Sequence, residues 1–226
     1  MFTCPLCNTE LVETSQMAVC SFCGATEEAE YICPNGHYQC EECRMASQTD
    51  IIERVCLTTH STNPIELANL IMKHPSFNQY GVEHHELVAP VVLSAIHNVR
   101  GTEIGHGKIR AAIKRGSKIP YGACGSMGTC GACVSAGVAT AILTGSNYLK
   151  DQERNLTLKA TATALLKLTD LGGPRCCKFS TYAGIVSAWD IARNDLNIPL
   201  PELQVECAFQ GKLKECHLDK CPYYER

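Results

Sequence analysis

The chain has 226 residues, 45% of them hydrophobic and 19% charged, with a net charge of −3. That balance supports one ordinary folded domain plus a small one, and it excludes a disordered or collagen-like chain. No apolar run reaches the ~18–20 residues of a membrane span, and a pI of about 6.2 excludes a global basic field for nucleic acid. The opening MFTCPLC reads as no signal peptide, so a cytoplasmic location with no membrane partner is expected.

Sixteen residues are cysteine. Without an export signal they read as metal-bound thiolates kept reduced in the cytosol, rather than as a disulfide scaffold. So many thiols suit a strongly reducing, anaerobic cell. The first group forms the pairs Cys4-x2-Cys7, Cys20-x2-Cys23, Cys33-x3-His37 and Cys40-x2-Cys43. Eight soft ligands grouped by twos are what two tetrahedral zinc ions require. The segment is short of apolar residues, and zinc, worth ~10–16 kcal/mol per structural site, supplies the missing stability. Spacing leaves the pairing open between sequential sites and a cross-brace. The expectation is a small double zinc-ribbon or treble-clef-like module over residues 1–48.

From residue 49 to 226 a mainly α domain with Cys-rich loops is expected. Thr62 or Asn63 caps a helix with Pro64 in its first turn, ending at His74-Pro75. A second helix is predicted over about Val82–Arg100, with a wide apolar face from Leu87 to Val99. A third covers Thr102–Arg115, with Gly116 as its C-cap. A fourth runs from near Cys130 through the small-residue stretch to Gly145, and a fifth, capped by Asp151, runs to Gly172-Gly173. The sixth spans Ser180–Asp195, and the alternation over Leu203–Phe209 predicts a short strand.

The segment Pro120-Tyr-Gly-Ala-Cys124-Gly-Ser-Met-Gly-Thr-Cys130-Gly-Ala-Cys133 carries the most chemistry. Glycine backbone turns its N–H groups toward an anion, and the helix that follows adds positive partial charge. Both effects lower a thiol pKa and stabilise an anionic iron–sulfur cluster. Gly172-Gly-Pro-Arg175-Cys176-Cys177-Lys178 joins two helices and can fold back on the first loop. One of Cys176 and Cys177 is expected as a ligand and the other as a packing or reactive thiol. His84 and His85 open the second helix, where one of them can face a site as ligand or general base. Cys207, Cys216 and Cys221 are irregularly spaced and offer either a further ligand or structural thiols.

The order CxxC…CxxC…Cys33-Pro-Asn-Gly-His37-Tyr-Gln-Cys40, then Ile71-Met-Lys-His-Pro, Gly81-Val-Glu-His-His-Glu-Leu-Val, CGSMGTCGA and GGPRCCK, resembles an uncharacterised prokaryotic domain family of anaerobes. Its members often lie fused to or beside S-adenosylmethionine-dependent methyltransferases or radical enzymes, which the resemblance implies as partners. A shorter stretch, Cys124–Gly137 with Cys176–Ile185, resembles the cluster-binding segments of iron–sulfur-dependent serine dehydratases and cysteine desulfidases. Carried over, Cys124 and Cys176 become ligands of a 4Fe–4S cluster, with Cys130 or Cys133 as the third.

The combined expectation is two structural zinc ions and an iron–sulfur or redox-thiol site built on Cys124, Cys130, Cys133 and Cys176. Cys177, His84 and His85 are the candidate catalytic groups, for a sulfur-removing, sulfur-transferring or lyase-type reaction. An adaptor or metallochaperone for a methyltransferase or radical enzyme is the first alternative, and a zinc-ribbon RNA-binding protein the second.

Overall fold

The computed structural model describes residues 2–225. It opens with an antiparallel hairpin, β1 (Val12–Val19) and β2 (Thr26–Ile32), with Val12 opposite Ile32 and Val19 opposite Thr26. The cysteine spacing gives no sign of these strands. Only Ala18 and Ala29 of the ribbon are buried, and a two-stranded hairpin so exposed is marginal by itself in water.

Helices follow: α1 (Glu41–Arg44), α2 (Gln48–Thr58), α3 (Pro64–Met72), α4 (Glu83–Val99), α5 (His106–Gly116), α6 (Ala123–Ser126), α7 (Gly131–Thr144), α8 (Asp151–Leu171) and α9 (Cys177–Asp190). α9 loosens into a π-helical turn over Ile191–Asp195. The architecture is mainly α, as the periodicity predicts. Helix α2 is absent from the expected elements, although Ser47 and Asp50 form a reciprocal capping box at its start. Asn63 caps α3 through its side chain, with Pro64 at the first position.

Several boundaries differ from expectation. Helix α5 starts at His106 rather than Thr102, and Gly116 is its last residue rather than its C-cap. That glycine is needed for another reason: a Cβ there would stand 2.3 Å from the His85 carbonyl of α4. Lys150, not Asp151, is the N-cap of α8. Helix α9 begins at Cys177, because the Cys176 thiol accepts the Phe179 N–H at 3.4 Å and caps it. Residues Leu203–Phe209 form no strand, since no second strand lies beside them. Their backbone bonds elsewhere: the Glu206 carbonyl accepts from Asn69 of α3, and the Cys207 N–H donates to the Tyr223 carbonyl.

Helix α7 is the hub, packed against α4, α5, α8 and α9. Its sequence GACVSAGVATAILT explains this role, because small side chains let neighbouring backbones come close. Ser135 on α7 accepts the Ala89 N–H of α4 at 3.0 Å, just before Pro90. On α9, a Cβ at Gly184 would stand 2.6 Å from the Ala132 carbonyl of α7. No helix among the described residues is long and apolar enough to cross a membrane.

The core is continuous from the N-terminal region into the helices, with Cys20, Phe22 and Cys43 in the same buried cluster as Ile51, Leu87 and Ala136. His74, at the end of α3, is the main polar link. It is 2% exposed, places Nε2 2.8 Å from the Cys43 carbonyl, and stacks edge-on against Phe22 at 5.1 Å. Burial lowers its pKa, so it bonds as the neutral imidazole.

Gly184→Ala tests the α7–α9 contact. It is expected to destabilise the protein by about 1–3 kcal/mol, read by chemical denaturation, whereas an unchanged midpoint would mean that the helices have room to part.

Candidate metal sites and a cysteine-lined pocket

In the N-terminal region three tight knuckles present ligand pairs. The N–H of Asn8, Gly24 and Gly36 each closes a turn onto the carbonyl of Cys4, Cys20 and Cys33, at 2.8, 2.9 and 2.8 Å. All three residues have positive φ, which favours asparagine and glycine. Cys40 caps α1 with its thiol and Cys43 lies within that helix.

The hairpin decides the pairing. Strand β1 carries the chain from the first knuckle to the second, and β2 returns it, so Cys33 and His37 arrive beside Cys4 and Cys7. The Ser21 N–H then bonds the Tyr38 carbonyl at 2.8 Å, which leads Cys40 and Cys43 back to Cys20 and Cys23. The result is a cross-brace: Cys4, Cys7, Cys33 and His37 in one group, Cys20, Cys23, Cys40 and Cys43 in the other. The ligand atoms of each group lie within 4.8 Å of one another.

Metal–sulfur bonds of about 2.3 Å at tetrahedral angles put ligand atoms roughly 3.8 Å apart. The Cys7 and Cys33 sulfurs are 3.4 Å apart, Cys23 and Cys40 3.6 Å, and Cys4 Sγ is 3.6 Å from His37 Nδ1. Both groups could hold a metal ion. In the second group the thiols act strongly on one another. The Cys43 thiol beside it holds Cys20 down to about 4, burial pushes Cys40 up to about 11, and contact with Cys20 raises Cys43 far further. All four could ionise together only with positive charge among them, which a bound metal ion would supply.

Treatment with a strong chelator, which would strip any metal these groups hold, is expected to release the Val12–Ile32 amides to rapid hydrogen exchange while helical ellipticity persists. Hairpin protection that survived complete metal removal would show that the strands stand without it.

The second candidate site is a pocket of about 460 Å³ lined by Cys124, Cys130, Cys176, Cys177, His85 and Arg175, among others. Helices α7 and α9 both begin at it, so two helix N-termini lend it positive potential. Cys124, in the short α6, is exposed. The Arg175 guanidinium lies between two rings, 4.7 Å from the centre of Tyr80 and 4.9 Å from that of Tyr121. His85 sits with Nδ1 3.0 Å from the Ile119 carbonyl, and its ring covers Gly131, where a Cβ would be only 2.2 Å away.

Cys130 is the N-cap of α7. The Cys133 thiol, the N–H groups of Cys133 and Ala132, and the Ser180 hydroxyl together hold its pKa down to about 5 against burial. Cys133 is fully buried, its pKa raised strongly by contact with Cys130. Burial pushes Cys177 up to about 11, partly offset by the nearby Arg175 charge.

The two histidines diverge. His85 lines the pocket, whereas His84 is fully buried, with Nε2 3.0 Å from Lys178 Nζ and Nδ1 3.3 Å from the Gly81 carbonyl. Burial lowers the pKa of His84 well below the usual histidine range, so it accepts from Lys178 and has no path to the pocket. Among the described residues, the two N-terminal groups alone bring three or more ligand atoms within 4.8 Å. The structure thus brings Cys124, Cys130 and Cys176 to one pocket and leaves Cys133 buried behind it. His217 also lines the pocket, its Nε2 2.7 Å from the Pro174 carbonyl, and no sequence pattern points to it.

Alkylation rates separate these thiols. Cys130 labelling is expected to reach half its plateau near pH 5 and stay flat from 6 to 8, because its thiolate is already formed. Cys133→Ala should move that midpoint upward, and Cys56, fully buried with its pKa pushed up to about 12, should stay unlabelled in the native protein. Peptide mapping by mass spectrometry reads all three; a Cys130 rate that climbs about tenfold per pH unit through 6–8 would show an ordinary thiol.

A model of the DUF5714 family, described as a family of unknown function, matches residues 52–224. No curated protein and no solved structure matches the chain.

Proposed function

Because the chain belongs to the DUF5714 family, whose function is unknown, we propose from its own sites that it is a two-zinc, sulfur-handling protein. One ligand set of the N-terminal region has four thiolates, and the other has three thiolates and an imidazole. Both are of the kind that select zinc, and closed four-ligand sites are structural. They hold the hairpin against the helical domain. The chemistry lies in the pocket, where the Cys130 thiolate takes a sulfur atom from a small persulfide.

The observation that carries this reading is the position of Cys130. It stands at the N-cap position of a 14-residue helix, lines a pocket large enough for a small molecule, and has its pKa held down to about 5. In the transfer, the Cys130 thiolate attacks the outer sulfur of R–S–SH. A bond from Cys130 to that sulfur forms, its bond to R–S breaks, and R–S⁻ leaves. The proton stays with the transferred sulfur, so no oxidant or reductant is consumed. Helix N-termini and Arg175 favour an anionic donor and its thiolate product.

Incubation of the full chain with glutathione persulfide should add one sulfur atom to the Cys130 peptide, detected by mass. Cys130→Ala should abolish the gain and Cys56→Ala should leave it intact. Uptake that persisted in Cys130→Ala would overturn the assignment.

A further inference from the structure

Beside the large pocket, on the other side of Cys176, four cysteines surround a second cavity. Cys207, Cys216 and Cys221 come from the carboxy-terminal segment, and Cys176 from the start of α9. Cys207, Cys216 and Cys221 lie near one another in sequence without regular spacing, and Cys176 stands well before them. The cavity between them, of about 20 Å³, is walled by Phe179, Tyr182 and Tyr223. It exceeds the ~10–15 Å³ that one water molecule needs.

We infer that Cys176, Cys207, Cys216 and Cys221 are the ligands of a 4Fe–4S cluster. Geometry separates this from a mononuclear site. No three of these sulfurs lie within 4.8 Å of one another, whereas a single tetrahedral ion needs them about 3.8 Å apart. In a cubane each thiolate ends on a different iron, so the ligands stand further apart around a shared centre.

The surroundings suit an anionic cluster. The backbone N–H of Phe179 donates to the Cys176 sulfur at 3.4 Å. Such N–H···S bonds stabilise cluster thiolates and tune them. The N-terminus of α9 adds partial positive charge, and Lys178 adds a full one. Its ammonium is buried, 4.7 Å from the Phe209 ring centre and 3.0 Å from His84 Nε2.

The site also accounts for the tail. Between Cys207 and Tyr224 the chain has one short 3-10 turn, Leu218–Lys220, and otherwise only local turns. Three ligands in that stretch tie it to α9, and a segment without helix or strand can shift outward slightly to admit the cubane.

The test is anaerobic reconstitution of the full chain with ferrous iron and sulfide, followed by iron, sulfide and zinc analysis. About four irons and four sulfides per chain are expected, with a visible absorption that dithionite bleaches. Cys216→Ala and Cys221→Ala should each lose most of the iron while zinc and helical ellipticity stay at the wild-type level. Cys124→Ala and Cys133→Ala should keep the iron. Absence of iron in the wild type, full iron in the Cys216→Ala, Cys221→Ala double variant, or a further zinc lost in that variant instead would each overturn the proposal. Because the readout is iron content, the result does not depend on whether Cys130 accepts sulfur.

Discussion

The close crossing of α7 and α9 is the contact on which the rest of the helical domain depends. Gly184 admits the Ala132 carbonyl, so the first turns of both helices reach one place. Ser180 then comes within reach of Cys130, and Cys176 and Cys177 stand across from Cys124. A larger residue at the crossing would separate the helix starts and with them the thiols. The small-residue composition of α7 is therefore a requirement of the site as well as of the core.

Charge placement follows from the same crossing. Two helix N-termini and Arg175 make the pocket favourable for thiolate and for anions. Lys178, one residue after Cys177, points the other way, into the protein, where His84 and the Asn78 carbonyl take its ammonium. The adjacent cysteines thus divide between two environments: Cys177 faces the large pocket, while Cys176 borders both cavities. Adjacent residues at a helix start diverge by about 100°, which makes such a division possible.

The N-terminal region depends on its ligands in a different way. Its hairpin buries little beyond two alanines, so its order comes from the two cysteine groups and from its seat on α3. His74 provides that seat through the Cys43 carbonyl and Phe22. One imidazole therefore couples the metal-ligand region to the helical core. That coupling explains why the buried cluster runs unbroken between parts whose sequences look unrelated.

The sequence alone singled out the eight candidate metal ligands of the N-terminal region, because pairs at CxxC and CxxxH spacing have few other uses. It also determined most helices, through apolar periodicity and residues such as Asn63 and Gly145. What it could not determine were relations between distant segments. Ligand pairing was settled by the antiparallel hairpin, whose strands carry no strong apolar alternation because they are nearly all exposed. The role of His84 was settled by Lys178, 94 residues away, and the grouping of Cys176 with Cys207, Cys216 and Cys221 by the tail folding over α9. Spacing reports a site when its ligands are neighbours along the chain; when packing assembles them, only the tertiary structure does.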